Sequence, residues 1–352
     1  MCFFSVSKKG IRLLCLFFLL LASTACAESP SSFVDPSLMS YSQLLDYVVQ
    51  EQPIRLNLGT VSRKYTPARL YKLKQSMPEG GRLVFRMQWC GTTISDRDEV
   101  IDLNHSRQRV TAQNLEQLIC LVPGVRKIIC SAHRNLSNKV MIPLVDKYPD
   151  IEFVWLVSLG GKYTLPSDCT AFSTMKHIGR GASLTSRDLE PLQYCPHLKA
   201  LDLGHHRIAD LSFLKYLPEL RILILVQNKI SDITPLAGLP HLQYVELFVN
   251  EITDITPLAG HRELLDLNLS GNRITDLSPL DSCGSLERLW ASRNPLGAET
   301  KSAFRASHPG CTANFTSAHA TADGWRKHWR YTQYIRMFKS HTWTSFCPPD
   351  GA

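Results

Sequence analysis

The sequence predicts an α/β solenoid, in which stacked repeats place short strands side by side in a curved parallel sheet. Three observations predict it. Leucine recurs every 22 residues, at Leu198, Leu220, Leu242, Leu264 and Leu286. Each of these positions opens a stretch of alternating apolar residues, which is the signature of a strand buried on one face. The segment "DITPLAG" follows two consecutive strands unchanged. A short strand cannot bury its leucines alone, so stacking of the units supplies the core.

The first 27 residues have the features of an export leader. Lys8, Lys9 and Arg12 precede the apolar run "LLCLFFLLLA", which is about half as long as a membrane-spanning helix requires. Residues 25–27, "ACA", fit a cleavage site, and lipidation of Cys26 is the alternative. We therefore predict a secreted or extracellular-surface protein whose only membrane contact would be a lipid anchor at Cys26. The net charge of +8 falls once the basic leader is removed, and so mild a charge argues for no nucleic-acid partner.

Residues 28–187 form an irregular α/β region ahead of the regular repeats. The strand-like stretches "VIDLNHS", "VRKIICS" and "IEFVWLVS" alternate with the helical stretches "TAQNLEQLICLV" and "LSNKVMIPLVDKY", which predicts longer α/β coils. Earlier stretches continue this alternation, so we expect one solenoid that begins near residue 41. A separate N-terminal domain is the alternative. Residues 160–187 break the period, which indicates a transition or an inserted loop.

Residues 188–297 carry the pattern L-x-x-L-x-L-x-x-N-x-I, as in "LQYVELFVNEI" from Leu242. The asparagines are predicted to point inward and to bond the backbone of the turn that follows each strand, because a buried amide needs partners. These residues are Asn228, Asn250, Asn272 and Asn294. In the second half of each unit a proline begins a short helical turn, and a preceding aspartate can cap its N–H groups. The aspartates are Asp232, Asp254 and Asp276.

These residues resemble the internalin-type leucine-rich repeats of Gram-positive surface proteins, whose pattern is N-x-I-x-D-I-x-P-L-x-x-L. The resemblance runs from about Asp188 to Leu296, and four consecutive units carry it. It implies an exported leucine-rich repeat protein of Firmicutes type, with the parallel sheet on the concave face of the solenoid.

Residues 298–352 follow the last repeat and are predicted to close the open end of the core. They contain "GWRKHWRY", in which we expect Trp325 and Trp329 to be buried while the cations remain in solvent. Stacking of these aromatic residues on sugars or nucleobases, or contact with a membrane surface, is the alternative.

The candidate binding residues are the outward positions of the predicted strands. Large apolar side chains on two adjacent strands form a patch of the size that marks contact sites, and aromatic residues and arginine dominate binding energy. The candidates are Ile222, Ile224, Val226, Tyr244, Glu246, Phe248, Arg288 and Trp290. The alternative is that another part of the chain, such as the C-terminal segment, folds over the patch.

The sequence contains no motif that predicts catalysis, a cofactor or a metal site. G-x-S-x-G, H-E-x-x-H, P-loop and C-x-x-C patterns are all missing. Cys195 and Cys283 occupy leucine positions, and Cys120 and Cys130 lie in apolar runs, so we expect buried thiols rather than a disulfide framework. His206 occupies an asparagine position and is expected to join the hydrogen bonds of its turn.

The leading hypothesis is therefore a non-enzymatic protein that binds another protein through its concave face. A glycan or cell-wall binder that uses Tyr244, Trp290 and the C-terminal aromatic residues is the alternative. An enzyme-linked repeat effector is disfavoured, because the roughly 55 residues after the last repeat are too few for a typical catalytic domain.

Overall fold

The computed structural model describes residues 32–33, 38–105, 108–175 and 183–348. The predicted leader, including Cys26, lies outside these residues. The chain divides into two compact units, of which the first ends at Met87 and the second begins at Gln88. Within the described residues, no helix has both the length and the apolar composition needed to cross a membrane.

The first unit alternates strands and helices. Its parallel strands are β1 (Ser32–Phe33), β2 (Arg55–Thr60) and β3 (Arg82–Trp89), and its helices are α1 (Tyr41–Glu51) and α2 (Pro67–Gln75). A capping box formed by Ser40 and Gln43 precedes α1, and Thr66 caps α2, which has a proline in its first turn. Leu44, Leu56 and other leucines of these elements are fully buried. The helix–strand alternation predicted for this region is confirmed.

The second unit begins with two irregular α/β coils. Its first elements are β4 (Thr92–Ser95), β5 (Val100–Asp102), α3 (Ala112–Leu121), β6 (Lys127–Ile129), α4 (Asn138–Lys147) and β7 (Glu152–Val154). Strands β5, β6 and β7 form a parallel sheet in that order, and the two helices connect them. The longer coils predicted from the strand-like stretches are therefore confirmed.

The segment predicted as a transition contains a hairpin and one more strand of the main sheet. Strands β8 (Leu156–Leu159) and β9 (Tyr163–Pro166) pair antiparallel around Gly160 and Gly161, both of which have positive φ. Strand β10 (Ala171–Ser173) then pairs with the first regular repeat. The repeat pattern does not predict β10, because this strand carries no leucine and its distance along the chain to the next strand exceeds the repeat length.

The regular repeats form the parallel sheet that the 22-residue spacing predicts. After β10 the strands are β11 (Ala200–Asp202), β12 (Ile222–Ile224), β13 (Tyr244–Glu246), β14 (Asp266–Asn268), β15 (Arg288–Trp290) and β16 (Thr312–Asn314). They lie in chain order in a sheet of seven strands. Residues one repeat apart are direct partners, so that Ile222 pairs with Tyr244 and Tyr244 with Asp266.

The inward asparagines bond as predicted. The side-chain amide of Asn250 donates to the carbonyls of Leu225 (3.0 Å) and Leu247 (2.9 Å), and its oxygen accepts from the N–H of Ile230 (3.1 Å). The other asparagines of the row make equivalent bonds. His206 accepts from the N–H of Leu184 (3.3 Å) and so substitutes for an asparagine, and burial lowers its pKa to about 4.

The return half of each unit is a short 3-10 turn rather than an α-helix. The aspartates cap these turns as predicted: the N–H of Thr234 donates to Asp232 at 2.8 Å, and the later turns repeat this bond. Helix α5 (Ala298–Ser307) packs against the last turn, where the hydroxyl of Ser307 donates to Asp281 at 2.8 Å. This helix and β16 continue the solenoid after the last regular repeat.

Candidate binding face

The concave face consists of the outward side chains of β11–β15. The strand register arranges these side chains in three rows across the sheet, and the same rows hold all eight candidate residues. The first row is Ala200, Ile222, Tyr244, Asp266 and Arg288; the second is Asp202, Ile224, Glu246, Asn268 and Trp290; the third is Gly204, Val226, Phe248, Ser270 and Ser292. The structure thus brings the predicted residues together on one surface.

A C-terminal segment covers this surface. We call residues 320–346 the lid; it contains a 3-10 turn (Trp325–Lys327) and helix α6 (Trp329–Ser340). Each of the eight candidates is at most 7 % exposed, and their apolar members share one buried cluster with lid residues. The expectation that the patch is exposed is therefore wrong, and the alternative, in which the C-terminal segment folds over it, describes the structure.

Aromatic rings fill the centre of the contact between lid and face. Trp325 is fully buried, and its ring centroid lies 5.6 Å from that of Tyr244 and 5.1 Å from that of Trp290. Tyr334 approaches Tyr244 at 4.9 Å, and Phe338 joins the same cluster. Buried aromatic pairs at such distances add to the stabilisation that apolar burial supplies.

A buried ionic cluster lies beside these rings. Asp266 is fully buried and accepts from Arg288 (2.6 Å) of the next strand and from Arg330 (3.0 Å) of the lid. Arg330 also bonds Glu287, and Arg288 donates to the carbonyl of Trp325 at 3.1 Å. The Arg288 guanidinium lies 4.5 Å from the Trp325 ring centroid. Removing Asp266 would leave the buried Arg288 guanidinium without a carboxylate partner, which is strongly unfavourable.

Glu246 is the second polar centre, and neutral donors surround it. Its carboxylate accepts from the indole N–H of Trp325 (2.8 Å) and from the hydroxyls of Tyr334 (3.3 Å) and Tyr244. Burial raises the pKa of Glu246 above its ordinary value, against the opposing effect of these hydrogen bonds. Burial likewise raises the pKa of Asp202, which bonds Ser173.

Some buried polar atoms at the same contact have no hydrogen-bond partner among the described residues. They are Asp266 Oδ2, Arg288 Nη2, Arg330 Nε, Ser270 Oγ and Ser292 Oγ. A buried polar atom without a partner costs on the order of 1–3 kcal/mol. The contact between lid and face is therefore less favourable than its apolar area alone would indicate.

Hydrogen bonds attach the start of the lid to the face and its end to the residue that precedes β10. At its start, the side-chain amide of Asn268 donates to the carbonyl of Ala320 at 2.6 Å, and the indole of Trp290 donates to the carbonyl of Ala322 at 3.0 Å. At its end, the Trp343 N–H donates to the Thr170 hydroxyl at 2.7 Å. Most of the contact between these ends is made by side chains.

The structure corrects the prediction for the C-terminal segment in two ways. "GWRKHWRY" lies on the concave face rather than at the end of the core, and Trp325 is buried there, whereas Trp329 is only half-buried. Arg330 was expected in solvent, yet it is 5 % exposed, because Asp266 and Glu287 supply its counter-charges. A signal was present: Arg330, Tyr334 and Phe338 recur at helical spacing, and acidic residues interrupt the apolar face.

The cysteine predictions hold with one exception. Cys195 and Cys283 are fully buried in their leucine positions, Cys130 is buried too, and burial raises the pKa of all three thiols. Cys120 is exposed, because it lies on the outer side of α3, opposite Leu115 and Leu118. In the described ranges, no cluster of His, Cys, Asp and Glu side chains is arranged to hold a metal ion.

Comparison with known proteins identifies the repeats. Residues 218–260 match the family model for Leucine Rich repeats (2 copies), and residues 194–211 match a second model, Leucine Rich repeat. With the observed register, these matches make the fold a leucine-rich repeat solenoid. No curated protein matches the chain.

Solved structures with similarity to this chain include two internalins from Listeria monocytogenes. Internalin C2 is 28% identical, with 44% of this chain and 76% of that chain covered and a TM-score of 0.31. An internalin (inlF) is 15% identical, with 81% and 86% covered and a TM-score of 0.36. A leucine-rich repeat protein from Leptospira interrogans is 13% identical, with 74% and 89% covered and a TM-score of 0.31.

Proposed function

Because the chain carries leucine-rich repeats, which generally serve as protein-binding modules, we propose that it is a non-enzymatic binding protein whose concave face receives a protein partner. In this proposal the leader exports the protein, and the lid occupies the binding face until a partner replaces it. The partner-binding residues are the eight candidates that lie beneath the lid.

One observation carries this proposal: the concave face already holds a helical segment through side chains that the repeats do not need for stacking. Leu223, Val245 and Leu267 form the interior of the coils, whereas Tyr244 and Trp290 point outward and contact Trp325 of the lid. Buried aromatic residues and arginine next to a charge partner are the residues that dominate binding sites between proteins.

The way in which the lid is attached favours a separable segment. It follows the last strand of the sheet, and a loop with the exposed residues Ala318 and His319 leads into it. Segments attached in this way open at a lower free energy than the core does.

A glycan-binding function is less well supported by this arrangement. Stacking on a sugar requires an accessible ring face, and Tyr244 and Trp290 are 0 % and 3 % exposed beneath the lid. A folded protein segment could replace the lid over its whole length, whereas a single sugar ring could not.

The test uses a photo-crosslinking amino acid at Ile224, in the full chain, exposed to proteins of the extracellular environment. Arg330→Ala should loosen the lid and increase crosslinking to a partner, while Lys327→Ala removes an exposed charge from the same segment and should change nothing. Hydrogen exchange of α6 and β13 measures the opening. If α6 exchanges only with global unfolding and Arg330→Ala captures no partner, the lid is a permanent part of the core and the proposal fails.

A further inference from the structure

The concave face beneath the lid is acidic at its centre. Its outward residues include Asp202, Glu246 and Asp266, against the single cation Arg288. All three acidic side chains are at most 4 % exposed, and the same face carries a cluster of buried apolar and aromatic side chains. The full chain, by contrast, carries a net charge of +8. A ligand for this face must therefore bring positive charge and hydrogen-bond donors together with apolar surface.

The lid shows how one segment meets that requirement. Arg330 is a second cation on Asp266 beside Arg288, and the donors of Trp325 and Tyr334 both reach Glu246. Arg330, Tyr334 and Phe338 follow one another at intervals of about one helical turn, so a single face of α6 presents them. Trp325 reaches the same surface from the 3-10 turn before the helix.

The face selects a helix rather than an extended strand. The backbone groups of its strands are bonded to the neighbouring strands of the same sheet, so the face offers side chains and no free edge for strand addition. A helix satisfies its own backbone groups and can present a cation between apolar side chains without burying unpaired N–H groups.

We propose that the partner of the concave face is a protein segment with the chemistry of the lid: an amphipathic helix whose apolar face carries one arginine, flanked about one turn away by aromatic residues with hydrogen-bond donors. This inference rests on the proposed function, because such a segment binds only where it replaces the lid. The arginine pairs with Asp266, and an indole or phenol donor satisfies Glu246.

The experiment converts the lid into an exchangeable ligand. A protease site is inserted in the full chain between the exposed residues Ala318 and His319, and cleavage leaves the lid bound but untethered. The probe is a fluorescent synthetic peptide of residues 321–347 with Cys347→Ser, and its binding is followed by anisotropy. Unlabelled competitors are the same peptide, its Arg330→Met form, its Lys327→Met form and an unrelated helical host peptide that carries Trp, Arg, Tyr and Phe at the lid spacing.

The expected result is that the lid peptide and the patterned host peptide both displace the probe. Arg330→Met should compete at least about thirtyfold more weakly, since it leaves Asp266 short of a partner, and Lys327→Met should match the parent. If the fluorescent peptide does not bind the cleaved protein, the lid does not exchange and the proposed function itself fails. If Arg330→Met competes as well as the parent, or the host peptide does not compete, the concave face still binds but the inferred partner chemistry is wrong.

Discussion

Trp325→Ala is the most direct perturbation of the contact between lid and face. The indole is fully buried, packs on Tyr244 and Trp290, lies under the Arg288 guanidinium and donates to Glu246 at 2.8 Å. Replacing a buried aromatic residue with alanine costs about 3–5 kcal/mol, and Glu246 would also lose a hydrogen-bond donor. Because Trp325 enters no coil interior, we expect this loss to act on the lid first.

Thermal unfolding and limited proteolysis measure the effect. The midpoint should fall by on the order of 10 °C, and early cleavage should concentrate in residues 320–346. Trp343→Ala is the matched control: it removes the same side chain from the half-buried end of the lid, where Lys199 and Arg221 cover its ring, and should cost much less. An unchanged midpoint for Trp325→Ala, or a protease pattern equal to that of the wild type, would refute the buried contact.

Three substitutions and one comparison of thiol reactivity test other parts of the structure. Asn250→Ala should lower the free energy of unfolding by about 1–3 kcal/mol, since two carbonyls and one N–H lose a buried partner; an unchanged denaturant midpoint would contradict the inward asparagine row. Cys195 should react with a thiol reagent only on unfolding, whereas the exposed Cys120 should react at once, which mass spectrometry of timed samples can measure. Glu246→Gln should stabilise the protein increasingly as pH rises. Folding raises the pKa of Glu246, so the contribution of Glu246 to the free energy of unfolding is fully present below its ordinary pKa, about 4.3. That contribution is lost as the pH rises through the pKa of the folded state. A difference in unfolding free energy between the two proteins that does not change with pH would disprove this. Val249→Asn should raise the free energy of unfolding by about 1 kcal/mol, because a β-branched residue is strained at a φ of 57°. If equilibrium unfolding shows that the variant is less stable than the wild type, Val249 is not strained.

Repetition explains which parts of the fold were predictable from sequence. Asn228, Asn250 and Asp232 each recur in their neighbours, so each bond lies within one unit or between adjacent units, and the pattern of one unit predicts the bonds of the next. The positions of the candidate residues followed from the same register. Strand β10 has neither the leucines nor the spacing, and the pattern therefore could not show it.

The lid could not be predicted in the same way, because its bonds join distant residues that do not repeat. Trp325 and Glu246 are 79 residues apart, and Arg330 and Asp266 are 64 apart. The pattern of apolar and polar residues indicated that Trp325 is buried and that the face is apolar, and both features require another surface to pack against. Patterning does not say that the two cover each other, since an external protein would satisfy the same requirement. Both possibilities are therefore compatible with the sequence.

A tethered lid sets a threshold that a partner must exceed. A segment joined by a short loop competes at an effective concentration of about 1 mM, so a partner present near 1 μM needs about 4 kcal/mol more binding free energy than the lid itself. A partner that makes only the contacts of the lid therefore cannot displace it, and a partner must also contact residues that the lid does not contact. Such contacts are available just beyond the carboxyl ends of the strands. There His205, Gln227 and Arg293 take up equivalent positions in their repeats, with positive φ, and their side chains are more exposed than those of the face. A partner that extends from the acidic centre onto these residues would displace the lid, whereas one confined to the centre would not.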